Sequence, residues 1–268
     1  MTETKVRRRS YSALTVYEKC PEQYRIKYVE RVPEEPSVWS IGGTAFHQVA
    51  EWYLAGLIGT SEADLFQAWL EAWEQAKAEV LTRNPEANPD VRTWRAADRG
   101  RENAEWWMEH GFAMVKRFVA WWPTSGLTVY QDEEGLGLER RIETELGGVP
   151  IVAIPDALVV DEHGQLNILD YKSGKPPKET LQLGVYRAAV LAGMGLDTTW
   201  GLYYMARAAQ LLPTQLAKHD PLAIAQQFTE FDAGVNAGEF EPTPSTETCK
   251  FCPYKRRECR YYNPPEGP

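Results

Sequence analysis

The sequence predicts a mixed α/β or α+β fold, with helices before and after a block of mainly antiparallel strands. Three observations predict it. Apolar residues recur at helical spacing from residue 10 to about 122, in a stretch rich in tryptophan. From Leu127 to Lys172 the pattern changes to short alternating or apolar runs parted by Gly-containing turns. Helical spacing then returns at Lys178–Leu191 and near Pro221–Ala237, with the strand-like run Thr198–Ala206 between them.

The elements follow in order. In Ser61–Val80, Ser61 and Asp64 have capping-box spacing. Leu65, Trp69 and Trp73 then recur every four residues, with Phe66 and Leu70 beside them. Arg101–Trp122 repeats the pattern through Trp106, Trp107, Met114, Phe118 and Trp121. Such stripes predict core packing for the tryptophans, although a few could serve as stacking platforms for single-stranded bases. The strands are expected in residues 127–133, 136–146, 149–160 and 165–172. A Pro-rich, Cys-rich tail closes the chain. These changes of texture suggest a helical region to residue 125, a core from 126 to 240 and a tail from 241 to 268.

The 268 residues carry 29 Lys+Arg against 38 Asp+Glu, a net charge of −9. That balance argues against a non-specific nucleic-acid coat. No apolar stretch approaches the roughly 20 residues of a membrane span. The start MTETKVRRRSYSAL lacks the apolar core of a secretory signal, so a cytoplasmic location is expected. Positive charge gathers locally: Lys5, Arg7, Arg8 and Arg9 at one end, and Lys250, Lys255, Arg256, Arg257 and Arg260 at the other.

Asp156 interrupts an apolar run, where an unpaired carboxylate is costly to bury. On the next strand, Leu166, Ile168, Asp170 and Lys172 share one face by period-2 geometry. If Glu162-His163-Gly164 is a three-residue loop with Gly164 left-handed, Asp161 pairs with Gln165 and Asp156 falls opposite Asp170. A two-residue loop would put the two carboxylates on opposite faces. Two like charges on facing positions repel unless a cation lies between them. Hard divalent ions such as magnesium or manganese suit such oxygen ligands.

Cys249, Cys252 and Cys259 fall within eleven residues of a polar tail, and Cys20 lies far upstream. In a reducing compartment, disulfides are disfavoured. A four-thiolate site is expected, holding either zinc or an iron–sulfur cluster. Spacing alone does not choose between them.

With Pro155-Asp156 followed by Asp170-Tyr171-Lys172, the sequence resembles the PD-(D/E)xK nuclease superfamily. Gly43-Thr-Ala-Phe-His47 and Gln182-Leu-Gly-Val-Tyr186 narrow the resemblance to its RecB-like branch, including CRISPR-associated exonucleases. The resemblance implies a restriction-endonuclease-like core, a mixed sheet flanked by helices, in a bacterial or phage-infected cell. It implies Mg²⁺ or Mn²⁺ held by His47, Asp156, Asp170 and the Tyr171 carbonyl. Asp156, Asp170, Lys172, Gln182 and Tyr186 are the implied catalytic set. It also implies a [4Fe-4S] cluster on Cys20, Cys249, Cys252 and Cys259, capping the C-terminal end, with zinc as the alternative. The gap before Cys259 is six residues where the branch often has five.

The implied activity is DNA exonucleolysis on single strands or free ends, in recombination, repair, phage DNA processing or CRISPR adaptation. The alternatives are a catalytically silent, cluster-bearing DNA-binding module and the nuclease subunit of a helicase–nuclease complex. The chain lacks G-x-x-x-x-G-K-[ST], so any motor would be a partner.

Overall fold

The computed structural model describes residues 8–250, 252–255 and 258–263. Lys5, Arg7, Arg256 and Arg257 lie outside the described residues. Helices α1 (Tyr11–Lys19), α2 (Pro21–Tyr24), α3 (Val38–Leu54), α4 (Glu62–Arg83) and α5 (Ala104–Trp121) precede the strands. Ser61 caps α4, its Oγ accepting from the Asp64 N–H at 3.2 Å, as the capping-box spacing predicts. Leu65, Trp69 and Trp73 are buried along α4, whereas Phe66 is 43% exposed and meets Phe112 edge-on. Trp107 of α5 is buried as well. The Trp106 ring is already occupied, with Arg207 over it at 4.7 Å and His110 stacked on it at 4.4 Å. These tryptophans are structural.

The strands are β1 (Thr128–Val129), β2 (Gln131–Asp132), β3 (Gly135–Leu136), β4 (Ile142–Leu146), β5 (Val149–Ala153), β6 (Ala157–Val160) and β7 (Leu166–Lys172). Helix α6 (Leu181–Met194) then leads to β8 (Trp200–Met205), β9 (Gln210–Gln215), α7 (Pro221–Ala237) and α8 (Thr246–Lys250). The main sheet has five strands in the order β1-β6-β7-β8-β9. Only β7 and β8 are parallel, joined through α6 as a parallel pair requires. The strand β9, which sequence patterning had not suggested, carries Pro213 and lies at the sheet edge, where a missing N–H is tolerated.

The apolar run Val149–Val160 is two strands rather than one. Its first half pairs with β4 in a separate hairpin, and its second half enters the main sheet. Pro155-Asp156 stands at the break between them. The sheet divides the core in two. Ala157, Val159, Leu169 and Tyr171 face α3, α4 and α5, while Leu158, Ile168, Tyr203 and Met205 face α6 and α7. Among the described residues, no helix is long and apolar enough to cross a membrane.

Candidate active site

The β6–β7 loop has the form that brings the two carboxylates together. The Asp161 N–H donates to the Gln165 carbonyl at 3.1 Å, and Gly164 takes φ +76°. The pairs Ala157–Leu169 and Leu158–Ile168 continue that register, so Asp156, one step beyond β6, falls across from Asp170. Asp156 Oδ2 accepts the Tyr171 N–H at 2.6 Å, which locks it to the end of β7.

Asp170 is 1% exposed. Its Oδ2 lies 2.5 Å from Lys172 Nζ and receives no other donor among the described residues. Lys172 Nζ donates to Gln182 Oε1 at 2.8 Å, and Gln182 Nε2 donates to the Tyr186 hydroxyl at 3.0 Å. Gln182 and Tyr186 are one turn apart on α6, so the two motifs form one polar chain over the α6 face of the sheet.

From the opposite face, α3 delivers His47, whose Nδ1 lies 3.2 Å from Asp156 Oδ1. The Tyr171 ring meets the His47 imidazole edge-on at 5.4 Å, and Phe46 packs on both sides of that contact. Gly43, one turn earlier, lets α3 approach the end of β7: a Cβ there would lie 3.3 Å from Ser173 Oγ.

Glu139 joins this site without any signal that sequence spacing offers. One of its carboxylate oxygens, a ring nitrogen of His47 and a carboxylate oxygen of Asp156 all lie within 4.8 Å of one another. Glu139 sits in a bend between two short strands, where neither helical nor strand periodicity assigns it a face. Only the pairing of Leu138 with Ala157 brings it beside Asp156. Glu51 contributes to the field, but its Oε2 already accepts from Gln48 Nε2 at 2.7 Å. His163 occupies the turn, His110 stacks on Trp106, and His219 meets Thr180 Oγ1 at 2.8 Å.

The electrostatics are those of a buried excess of carboxylate. Burial and the charge of Asp156 push the Glu139 carboxyl up to about 7. Asp170 is raised by the same two causes, against the pull of Lys172. Burial favours a neutral His47, yet Asp156, Asp170 and Glu139 outweigh it and push the imidazole up to about 9. Every one of these shifts records a demand for positive charge. The imidazole and carboxylate donors, with the buried Asp170 oxygen engaged by Lys172 alone among the described residues, fit a hard divalent ion.

The sequence model of the PD-(D/E)XK nuclease superfamily matches residues 8–260. The chain belongs to that superfamily. It is also 32% identical over 265 residues to the Gene 69 protein of Mycobacterium phage D29, covering 94% of this chain and 96% of that one. The Gene 69 protein of Mycobacterium phage L5 is 30% identical over 282 residues, covering 94% and 97%. Superfamily membership makes this a nuclease fold whose relatives use divalent metals, and DNA is the substrate class it implies. Pro155-Asp156 and Asp170-Tyr171-Lys172, the two segments that carry the sequence resemblance, are brought together by the β6–β7 register.

Away from the superfamily signature, Cys20, Cys249, Cys252 and Cys259 line one small cavity with Ile26, Pro242 and other residues. The tail reaches it through Thr243 Oγ1, which donates to the Lys19 carbonyl at 2.7 Å, and through the Tyr254 hydroxyl, which donates to the Val32 carbonyl at 3.1 Å. No three of the four sulfurs lie within 4.8 Å of one another. Burial raises the Cys252 and Cys259 thiols.

The expected basic patch at the two ends is not a free phosphate grip in the described residues. Arg9 is 4% exposed and its Nε donates to Asp232 Oδ1 at 2.6 Å. Arg8 pairs with Glu143 and Lys255 with Glu35, each at 2.6 Å. Arg9 is buried because its backbone exchanges hydrogen bonds with Pro150 and Val152 beside β5, an addition that charge counting does not anticipate.

Proposed function

We propose that this protein is a RecB-like DNA exonuclease that depends on Mg²⁺ or Mn²⁺ and acts on single strands or free ends. The observation that carries the reading is the opposition of Asp156 and Asp170 with Lys172 held between Asp170 and Gln182. The origin of the two relatives supports phage DNA processing or recombination as the setting.

His47, Asp156, Asp170 and the Tyr171 carbonyl are the groups that would hold the divalent ion. When bound, such an ion polarises the phosphate and acidifies a water. Lys172 keeps its ammonium beside the carboxylates, where it orients the attacking water and offsets charge that develops on the phosphorus oxygens. Gln182 fixes the direction of that ammonium, and Tyr186 fixes Gln182. The His47 imidazole is braced by the rings of Phe46 and Tyr171, so ligand geometry is set before substrate arrives.

The test is degradation of end-labelled single- and double-stranded DNA with Mg²⁺, Mn²⁺ or chelator, beside Asp170→Ala and Lys172→Ala. Wild type should release nucleotides from ends only with metal, and both variants should lose that activity while melting as folded proteins. Full activity in either variant would sink the assignment. Metal-independent DNA binding with no cleavage would leave a silent DNA-binding module instead.

The same reading gives the four cysteines a [4Fe-4S] cluster. Its support is the sequence resemblance together with their common cavity. The cluster would tie Cys20 to the tail and so close a loop of more than two hundred residues. An anaerobic preparation should be brown and contain iron; a colourless one containing zinc overturns the cluster.

A further inference from the structure

We propose that Glu139 is a direct ligand of the divalent ion, making the His47 side of the site a His–Glu–Asp cradle supplied from outside the signature segments. The inference rests on the metal-dependent reading above and adds to it a residue that no motif contains. The donor atoms of His47, Glu139 and Asp156 lie within 4.8 Å of one another, whereas Asp170 is not part of that group and has its own cation, Lys172. Among the described residues, no hydrogen bond or ion pair is formed by the Glu139 side chain. A half-buried carboxylate in that condition, beside a second carboxylate, is poorly placed for stability and well placed for a cation.

The backbone points the same way. Of the five non-glycine residues at positive φ among the described residues, Glu139 is the one that joins this cluster, at φ +43°. Glutamate gains nothing from that conformation, which favours glycine or asparagine. It is held there from both sides. The Glu139 N–H donates to the Asp156 carbonyl at 3.1 Å, and the next residue, Arg140, is anchored on Asp132 at 2.6 Å. A strained conformation that its neighbours enforce, carrying a carboxyl group with no hydrogen-bond partner among the described residues into the site, has the character of a functional residue.

The experiment measures Mn²⁺ binding to the full chain by electron paramagnetic resonance, and the melting temperature with and without Mn²⁺. Wild type, Glu139→Gln, Glu139→Asn and Asp156→Asn are compared. Glu139→Gln should weaken Mn²⁺ by at least about tenfold, since even outer-shell groups cost that much. Glu139→Asn should melt no lower than wild type without metal, because asparagine accepts the left-handed backbone and one repelling charge is gone. Its Mn²⁺-induced rise in melting temperature should shrink. Wild-type Mn²⁺ affinity in Glu139→Gln, while Asp156→Asn has lost it, overturns the proposal alone. So does a Glu139→Asn variant that melts lower yet keeps the full metal-induced rise. If wild type itself binds no Mn²⁺, the metal-dependent reading fails and takes this ligand with it.

Discussion

Lys172 Nζ donates to Gln182 Oε1 across 2.8 Å, joining the last residue of β7 to the first turn of α6. The two are ten residues apart in sequence, and the loop between them folds back so that strand end and helix start share one polar chain. Without Gln182, the ammonium would keep Asp170 and the Tyr203 ring as partners and would settle against the carboxylate. Gln182→Leu should therefore lower metal-dependent cleavage at saturating DNA by about tenfold or more, while DNA affinity and melting temperature stay near wild type. Turnover equal to wild type would remove Gln182 from the machinery.

Arg9 offers a sharper contrast between a phosphate contact and a structural one. Its guanidinium donates to Asp232 at 2.6 Å and to the Tyr24 hydroxyl at 2.9 Å, and lies 5.3 Å from the Phe231 ring centre. Truncation leaves the part-buried Asp232 without its cation, a loss of about 3 kcal/mol for a pair of this kind. Arg9→Ala should melt about 6–12 °C lower, with the salt dependence of DNA binding unchanged. An unchanged melting temperature with a shallower salt slope would restore the phosphate role.

Much of the site was legible because it depends on local rules. Loop length and one glycine set the register that opposes Asp156 and Asp170, and helical spacing places Gln182 with Tyr186. The N-cap of α4 follows from Ser61 and Asp64 in the same way. What escaped depends on pairings between distant segments. Glu139 enters the site only because Leu138 bridges to Ala157, and Arg9 is buried only because its strand-like segment lies beside Ile151. Neither pairing leaves a periodic mark. The charge of Asp156 inside an apolar run was visible, but patterning read residues 149–160 as one strand and could not say that its two halves join different sheets.

The carboxylate excess gives the metal-free protein a definite pH response. His47, at about 9, is protonated more readily in the folded chain than in the unfolded one. Its contribution is complete below the unfolded value near 6.5 and is lost as pH rises through 9. Glu139, at about 7, keeps its proton in the fold after the unfolded chain has released it near 4.5. Its contribution is likewise lost as pH rises from 4.5 to 7. Both signs agree, so in chelator the melting temperature should fall as pH climbs from about 5 to 9. Mn²⁺ should flatten or reverse that fall, because it supplies the charge that the departing protons had supplied. A melting temperature in chelator that rises over this range would contradict the electrostatics of the site.

The acidic chain must still hold a polyanion, and the cations at its two ends are largely spoken for in the described residues. The loop between β7 and α6 offers others. Lys175 and Lys178 are exposed there, flank Pro176-Pro177, and make no ion pair among the described residues. Glu102, whose field Lys175 feels, is already taken by Arg207 at 2.7 and 2.8 Å. The loop begins one residue after Lys172, so a phosphate neighbouring the scissile one falls within its reach. In an Asp170→Asn background that leaves DNA uncut, the double variant Lys175→Ala/Lys178→Ala should flatten the plot of log affinity against log salt. Two lost contacts on single-stranded DNA correspond to a slope shallower by about 1.4. A slope and affinity unchanged from the background would show that the strand runs elsewhere, and that the two prolines merely stiffen a connection.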